Sequence, residues 1–329
     1  MMHVWRVHEL GNPMDVLTLE EVEEPVAGPG EALIEVGATA LNFFDILLCQ
    51  GTYQEKPPLP FTPGAEVGGT VLAVGDGVDL RVGQRVVASP PLPRGGLAQR
   101  VVAPRASVLP IPDTMPFEAA AAHFITYQTA YVGLHRRAHL QPGEVALIHA
   151  GAGGVGSAAI QLAIAAGARV IATAGGPEKV AVCRRLGAEE AIDYRAGDFV
   201  DRVKDLTGGR GVNVIFDPVG GDVFDRSRRC IAFEGRLVVV GFAGGRMADA
   251  PTNHALVKNY SIVGLHWGLY RHMAPQVILD THQELMRLYE AGKIDPLIFR
   301  DVPFAEIPAA LDQIGSRVTW GKLVTRPNG

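Results

Sequence analysis

Three glycines in the middle of the chain have the spacing of a turn that binds the diphosphate of a dinucleotide. Gly151, Gly153 and Gly156 fit the pattern G-x-G-x-x-G directly after the apolar run 145–150. Residues 157–166 are rich in Ala, Ile and Leu, so the sequence predicts a strand, a glycine turn and a helix packed on the strand. In this context the backbone can approach a diphosphate at the positive end of the helix dipole. Since the pattern alone is weakly specific, a purely structural turn is the alternative.

The next predicted strand, residues 169–174, indicates which nucleotide binds. An NAD site usually places Asp or Glu about 20 residues after the glycine turn, where it binds the ribose hydroxyls. Here the strand runs into Gly175, Gly176 and Pro177, and the first carboxylate is that of Glu178. Without an acid to repel a 2′-phosphate, and with Lys179 just beyond, the sequence favours NADP(H). Alternatively, Lys179 is only a solvated residue at the start of a helix.

The bulk composition limits the classes of function. The 329 residues suffice for two domains, and 47% of them are hydrophobic, as in ordinary globular proteins. A net charge of −5 argues against nucleic acid or an anionic membrane as the main partner. Cys49, Cys183 and Cys230 are far apart, which indicates neither a disulfide framework nor a zinc cluster. With no apolar signal core and no run long enough for a membrane span, we expect a cytoplasmic protein.

The remaining elements form two predicted domains that position the glycine turn. Residues 4–109 are short β-like runs broken by Gly and Pro, with one helix at 43–50, as in an antiparallel β domain. An Ala-rich helix at 117–138 leads into a region where strands alternate with helices, which predicts a doubly wound parallel sheet. The helix 276–291 and the tail 318–325 are expected to return to the first domain. The predicted strands of the parallel sheet lie at 145–150, 169–174, 191–194, 212–216, 236–240 and 261–265.

Six segments together carry a family resemblance over nearly the whole chain. The sequence resembles the zinc-independent quinone oxidoreductases of the medium-chain dehydrogenase/reductase superfamily, the group that includes zeta-crystallin. The resemblance implies a β-rich GroES-like catalytic domain, residues 1–120 and 266–329, split around a Rossmann domain, residues 121–265, with the active site between them. The segments are Asn42-Phe43-Phe44-Asp45, Gly51-Thr52-Tyr53, Pro63-Gly64-Ala65-Glu66, the turn 150–156, Leu186-Gly187-Ala188 and Asp217-Pro218-Val219-Gly220.

The resemblance also predicts that the enzyme uses no metal. The zinc alcohol dehydrogenases carry a Cys and a His at the positions that match Asn42 and Ala65, and neither residue here is a useful zinc ligand. Residues 89–96 contain no Cys, so a four-cysteine structural zinc lobe is also missing. Without a Lewis acid, a quinone or an enone is a more suitable hydride acceptor than a simple ketone.

By resemblance, Asn42, Asp45 and Tyr53 line the cleft near the nicotinamide as the catalytic candidates. Asn42 and Tyr53 can donate a hydrogen bond to substrate, whereas an ionised Asp45 can only accept and would orient its neighbours. The alternative for Asn42 is a helix cap on the helix that begins at Phe43. A direct catalytic role for Tyr53 and Asn42 therefore stays open.

The resemblance further implies a set of residues for the cofactor, NADPH. Lys179, Tyr194 and Arg317 would bind the 2′-phosphate, although Tyr194 could serve strand packing and Arg317 a surface ion pair. Gly241 and Phe242 would lie along the nicotinamide ribose, and Thr129 would face the nicotinamide unless it only packs its helix. The turn contributes Ala150, Gly151, Gly153, Gly154, Val155 and Gly156.

These predictions converge on an NADPH-dependent reductase of quinones or related α,β-unsaturated carbonyls, with a small-molecule substrate. Two alternatives remain: reduction of an enoyl thioester such as an enoyl-CoA, and an NADPH-binding protein with a structural or regulatory role. We also expect a homodimer, because the apolar strand 261–265 matches an edge strand that pairs with its symmetry mate in related enzymes.

Overall fold

The computed structural model describes residues 1–329, which divide into two compact units. One unit contains residues 1–125 and 296–329, and the other contains residues 126–295. The predicted boundaries at 120/121 and 265/266 differ from this division, most of all for residues 266–295. Their helix lies with the second unit, where the side-chain amide of Gln128 donates to the carbonyl of Ile278 at 2.9 Å.

The first part of the chain, as predicted, is a series of short strands. Its helices are α1 (Pro13–Val16), α2 (Phe43–Cys49) and α3 (Phe117–Tyr131), with a 3-10 turn at Arg105–Ser107. The strands are β1 (Met2–Val7), β2 (Leu17–Val22), β3 (Glu31–Ala40), β4 (Val67–Val74), β5 (Arg85–Ala88), β6 (Arg100–Pro104) and β7 (Val108–Pro110).

The second unit alternates strands with helices after a π-helix, Val132–Arg137, which continues α3. Its strands are β8 (Val145–Ile148), β9 (Arg169–Ala174), β10 (Glu190–Asp193), β11 (Val212–Asp217), β12 (Ile231–Val239) and β13 (Ser261–Gly264). Its helices are α4 (Gly154–Ala165), α5 (Pro177–Arg185), α6 (Phe199–Leu206), α7 (Gly221–Ser227), α8 (Thr252–Lys258), α9 (Trp267–Met273) and α10 (Pro275–Glu290).

The last segment of the chain completes the first unit. It contains β14 (Ile298–Val302), a 3-10 turn at Phe304–Glu306, α11 (Ile307–Gly315) and β15 (Lys322–Thr325). The sheet of this unit has the order β14-β15-β3-β4-β5-β7, and β6 pairs with β3. All of its pairs are antiparallel except β14 with β15, so the prediction of a largely antiparallel domain is confirmed.

The second unit is a Rossmann-type sheet. Its six strands are all parallel and have the order β10-β9-β8-β11-β12-β13. The strand order reverses beside β8, and ligands of such sheets bind at the carboxyl ends of the strands at this point. The interior is apolar, with fully buried Leu147, Ile215 and Leu237 in one core cluster with Phe199. The glycine turn therefore leaves a rigid, buried strand.

None of the helices combines the length and the apolar character that crossing a lipid bilayer requires.

Candidate active site

The glycine turn has the geometry that its sequence predicts. Ala150 has a positive φ of 49°, and Gly153 is the N-cap of α4 without any side chain that caps the helix. A Cβ on Gly156 would overlap the carbonyl oxygen of Ala150, and a Cβ on Gly151 would come within 2.9 Å of Cys183 Sγ. Only glycine fits at these two positions, and the first amide groups of α4 stay open to an anion.

The next strand, β9, is also followed directly by glycines, Gly175 and Gly176. Gly176 has a φ of 92°, and a Cβ on Gly175 would lie 2.5 Å from the hydroxyl oxygen of Tyr194. The phenol of Tyr194 therefore covers Gly175 from the end of the neighbouring strand β10, with its side chain partly exposed. Lys179 lies in the first turn of α5, immediately beyond. This places two of the three predicted phosphate ligands at one end of the sheet.

Two residues at this end of the sheet, Asp193 and Arg195, were not among the predicted site residues. Asp193 Oδ1 accepts hydrogen bonds from the backbone N–H of Gly176 at 3.0 Å and of Arg195 at 2.9 Å. These bonds hold the pKa of Asp193 below its usual range, so the carboxylate is ionised and occupied with the turn. The guanidinium of Arg195 lies beside Tyr194 over Gly175. The sequence feature that could have indicated both residues is Asp193-Tyr194-Arg195, which directly includes the predicted phosphate ligand Tyr194 at the end of a strand.

The other cofactor candidates of this unit lie on α3 and after β12. Gly241 and Phe242 follow β12, where the N–H of Val240 donates to the carbonyl of Asp217. The ring of Phe242 packs over Gly220, since a Cβ there would lie 2.6 Å from its Cδ1 atom. Thr129 is buried on α3. The residues 150–156, 175–176, 194 and 241–242 thus follow the carboxyl ends of parallel strands in one sheet.

Asn42 belongs to a buried polar network in the first unit. Its side-chain nitrogen donates to Glu66 Oε1 at 2.9 Å and to the carbonyl of Ala40 at 3.3 Å. Its side-chain oxygen accepts from the ammonium of Lys322, which also pairs with Glu66 at 2.8 Å. Both hydrogens of the amide are therefore engaged, and Asn42 is also the N-cap residue of α2. In this arrangement Asn42 orients charged neighbours and has no N–H left for a substrate.

Asp45 stabilises the loop that carries Glu66. Its carboxylate accepts from the backbone N–H of Asn42 at 2.8 Å and of Gly64 at 3.0 Å. Complete burial raises the pKa of Asp45 to about 6, although the two backbone hydrogen bonds and the charge of Lys322 act in the opposite direction. The bond to Asn42 begins α2, and the bond to Gly64 connects this helix with the segment that contains Glu66. Asp45 thus binds backbone groups on both sides, and its role in the site stays a prediction.

Tyr53 is a half-buried phenol close to α2. Its ring lies on that of Phe44, with centroids 5.5 Å apart, and its backbone N–H donates to the carbonyl of Leu47. Burial raises the pKa of Tyr53, and the nearby carboxylates of Glu55 and Asp45 raise it further. The hydroxyl therefore keeps its proton at neutral pH and can donate a hydrogen bond.

Arg317 belongs to the first unit, whereas Lys179 and Tyr194 belong to the second. It follows the C-terminus of α11 with a positive φ of 57°, and its backbone N–H donates to the carbonyl of Ile314. The left-handed backbone at Arg317 ends the helix, a position that usually selects Gly or Asn. Its role at the phosphate stays a prediction.

The donor set near Asn42 does not fit a metal ion. No group of three or more His, Cys, Asp and Glu side chains is arranged to hold one. The carboxylate of Glu66 already binds the ammonium of Lys322 and the N–H of Ile125, and that of Asp45 accepts from two backbone N–H groups. A Zn²⁺ ion prefers four Cys, His or carboxylate ligands, whereas this site offers two carboxylates that are already bound and a cation.

Comparison with known proteins identifies both units. Residues 28–113 match the family model of the alcohol dehydrogenase GroES-like domain, and residues 154–283 match that of the zinc-binding dehydrogenases. The quinone oxidoreductase-like protein 2 homolog of Nematostella vectensis is 40% identical over 320 residues, which cover 96% of this chain and 87% of the relative.

Solved structures agree with this similarity. The crystal structure of Escherichia coli quinone oxidoreductase complexed with NADPH is 30% identical, covers 99% of this chain and 100% of its own, and has a TM-score of 0.91. The CurK enoyl reductase is also 30% identical, with a TM-score of 0.87 and 99% of both chains covered.

Proposed function

The chain belongs to the quinone oxidoreductase-like family of the medium-chain dehydrogenase/reductase superfamily, and on this premise we propose that it reduces quinones or related α,β-unsaturated carbonyls with NADPH, without a metal. One observation carries the proposal: a buried ammonium, that of Lys322, lies between Glu66 and Asn42. A carboxylate that is already neutralised by an ammonium would be a poor ligand for a Lewis-acid metal, so the site would suit acceptors that need little polarisation.

The residues at the carboxyl ends of the strands fit NADPH. The open backbone of Gly151, Gly153 and Gly156 would hold the diphosphate, as would Ala150, Gly154 and Val155 beside them. Lys179, Tyr194 and Arg317 would bind the 2′-phosphate, and the missing acid at the end of β9 removes the usual preference for NAD. Thr129, Gly241 and Phe242 would contact the nicotinamide and its ribose. When bound, NADPH supplies a hydride to the acceptor.

Tyr53 is the candidate donor to the substrate oxygen. A protonated phenol can stabilise the negative charge that develops there, an effect worth about 2–4 kcal/mol for one well-placed donor. The packing against Phe44 limits the directions in which the ring can turn. Asn42 and Asp45 would act behind it, because their polar atoms are bound to Lys322, Glu66 and backbone groups.

A screen of NADPH oxidation tests the proposed activity. Quinones and enones should support turnover, NADH should be a poorer donor than NADPH, and prolonged dialysis against a strong chelator should leave the rate unchanged. Stoichiometric zinc whose removal abolishes turnover would contradict the metal-free mechanism. Binding of NADPH without turnover on any quinone, enone, enoyl-CoA or aldehyde would instead favour the structural or regulatory role.

Reduction of an enoyl thioester is the second candidate, because the similar CurK structure is that of an enoyl reductase. Both reactions deliver hydride to a carbon conjugated with a carbonyl group, so the same donor would serve either substrate. The two are separated by comparing kcat/KM for a simple quinone with that for crotonyl-CoA. A higher value for the thioester would replace our first proposal.

We also propose a homodimer through β13. This strand pairs only with β12, so one of its edges has no partner strand in the chain, and Ile262 is partly exposed. Leu256 and Val257 on the preceding helix α8 are each 76% exposed. An exposed edge with apolar neighbours favours pairing with a second copy. Light scattering should give about twice 35.0 kDa, and Ile262→Lys should give the monomer mass.

A further inference from the structure

Arg195 has a guanidinium group directly beside the predicted phosphate position. A Cβ built on Gly175 would lie 3.0 Å from Arg195 Nε, and one on Gly176 would lie 3.4 Å from its Nη1. The side chain is exposed, and its charge acts on Asp193, two residues earlier, without a contact short enough for an ion pair. By contrast, Arg184 and Arg202 of the same unit both pair with Glu190. The charge of Arg195 is therefore available to a ligand at the end of β9.

Backbone hydrogen bonds fix the position of the Arg195 main chain beside Gly176. Asp193 Oδ1 bridges the N–H groups of Gly176 and Arg195, so the ends of β9 and β10 are joined by one carboxylate. The N–H of Tyr194 donates to the carbonyl of Ala174 and continues the pairing of the two strands. Tyr194 and Arg195 consequently both reach over Gly175, where any larger residue would displace them.

We infer that Arg195 is a ligand of the 2′-phosphate of NADPH and, with Tyr194, determines the preference for NADPH over NADH. A guanidinium binds a phosphate through two parallel N–H groups, which an exposed lysine cannot do. The phenol of Tyr194 donates to the same group, and Gly175 leaves the space for both. This inference rests on the proposed use of NADPH and adds a residue to the predicted set of Lys179, Tyr194 and Arg317.

The test measures binding of two nucleotides by titration calorimetry and so needs no turnover. Adenosine 2′,5′-bisphosphate carries the 2′-phosphate, and 5′-AMP is the matched ligand without it. We expect Arg195→Ala to raise the Kd for the bisphosphate at least tenfold, which equals about 1.4 kcal/mol, and to leave the Kd for 5′-AMP unchanged. Arg195→Lys should restore part of the affinity, because it restores the charge without the paired donors.

Two further variants control for other effects. Arg210→Ala removes the same charge from an exposed arginine just before β11, at the amino end of the sheet, and should leave both Kd values unchanged. Gly175→Ala keeps all charges but displaces Tyr194 and Arg195, so it should weaken the bisphosphate and spare 5′-AMP.

The outcomes separate this inference from the proposed function. If the wild type prefers the bisphosphate and Arg195→Ala keeps that preference, Arg195 is not a ligand, while NADPH use stands. An equal loss for both nucleotides would also overturn the inference, because it would indicate a general effect on the site. If the wild type binds both nucleotides equally, the proposed NADPH preference fails, and the role of Arg195 fails with it.

Discussion

His149, between β8 and the glycine turn, should make the protein less stable in mild acid. The Ser227 hydroxyl donates to the carbonyl of Val223 at 2.6 Å, so it accepts from His149 Nε2 at 2.8 Å. The proton of the neutral ring is therefore on Nε2, and Nδ1 accepts from the Thr173 hydroxyl at 2.9 Å. Burial and, to a smaller extent, the charge of Arg226 lower the pKa of His149 to about 3.

The magnitude follows from the difference in proton binding between the folded and unfolded states. Between pH 6.5 and pH 3 the unfolded chain binds a proton at His149 and the folded chain does not, so its contribution to stability is present above 6.5 and is lost as the pH falls. Lowering the pH from 7.5 to 5 should remove about 2 kcal/mol of unfolding free energy through this residue alone. Asp45 acts in the opposite sense, because its raised pKa of about 6 makes the folded state bind a proton first.

Comparison with His149→Gln isolates the effect, since Asp45 and the other groups contribute equally to both proteins. Urea unfolding at pH 7.5 and pH 5 should show a loss in the wild type about 2 kcal/mol larger than in the variant. Thr173→Val is the control: it removes a hydrogen bond to the ring and should lower the stability at both pH values while most of the pH dependence remains. The reasoning is refuted if wild type and His149→Gln lose the same free energy.

Three further predictions concern other residues. Gln161→Leu removes a hydrogen bond to the buried hydroxyl of Tyr127 and the acceptor of the Asp295 N–H, so it should cost about 2–3 kcal/mol in urea unfolding. The exposed Gln276→Leu is its control and should cost under about 0.5 kcal/mol. Burial raises the pKa of Cys49, Cys183 and Cys230 to about 12. A thiol reagent should therefore label none of them in the native protein and all three in denaturant. Rapid labelling of the native protein would contradict the burial. Tyr53→Phe should lower kcat tenfold or more with unchanged NADPH affinity, and more for enones than for quinones; an unchanged kcat would restrict Tyr53 to shaping the site.

The local features of the Rossmann unit could be predicted because each depends on neighbouring residues. The run 145–150, the glycine turn and the helix after it give β8, the turn and α4 almost at the predicted bounds. Strand β12 shows the limit: it begins at Ile231 instead of Arg236, with an irregular register opposite β11. The positive φ of Glu234 and the glycine at 235 break its apolar pattern, so the sequence indicates only the regular second half.

Features that depend on residues far apart in the chain could not be predicted. The helix 276–291 was expected in the first unit, but a hydrogen bond between Gln128 and Ile278 places it in the second. Likewise, the partner of Asn42 is Lys322, and no spacing in the sequence relates the two. Arg195 became a candidate only because β10 lies beside β9, which brings its side chain over Gly175.

The hydrogen-bond network around Lys322 bears on which substrates the proposed enzyme could reduce without a zinc ion. A buried carboxylate without a partner is costly, and in this unit the ammonium of Lys322 neutralises Glu66 while the amide of Asn42 satisfies both. Without this cation, Glu66 would be a buried charge with no counter-ion. The cation balances the charge of Glu66 and uses two of its three N–H groups on Asn42 and Glu66, but an ammonium cannot accept a lone pair from a carbonyl as an open zinc site does. Under the proposed function, the activation that remains would be a hydrogen bond from a group such as Tyr53, which suits acceptors that are already conjugated.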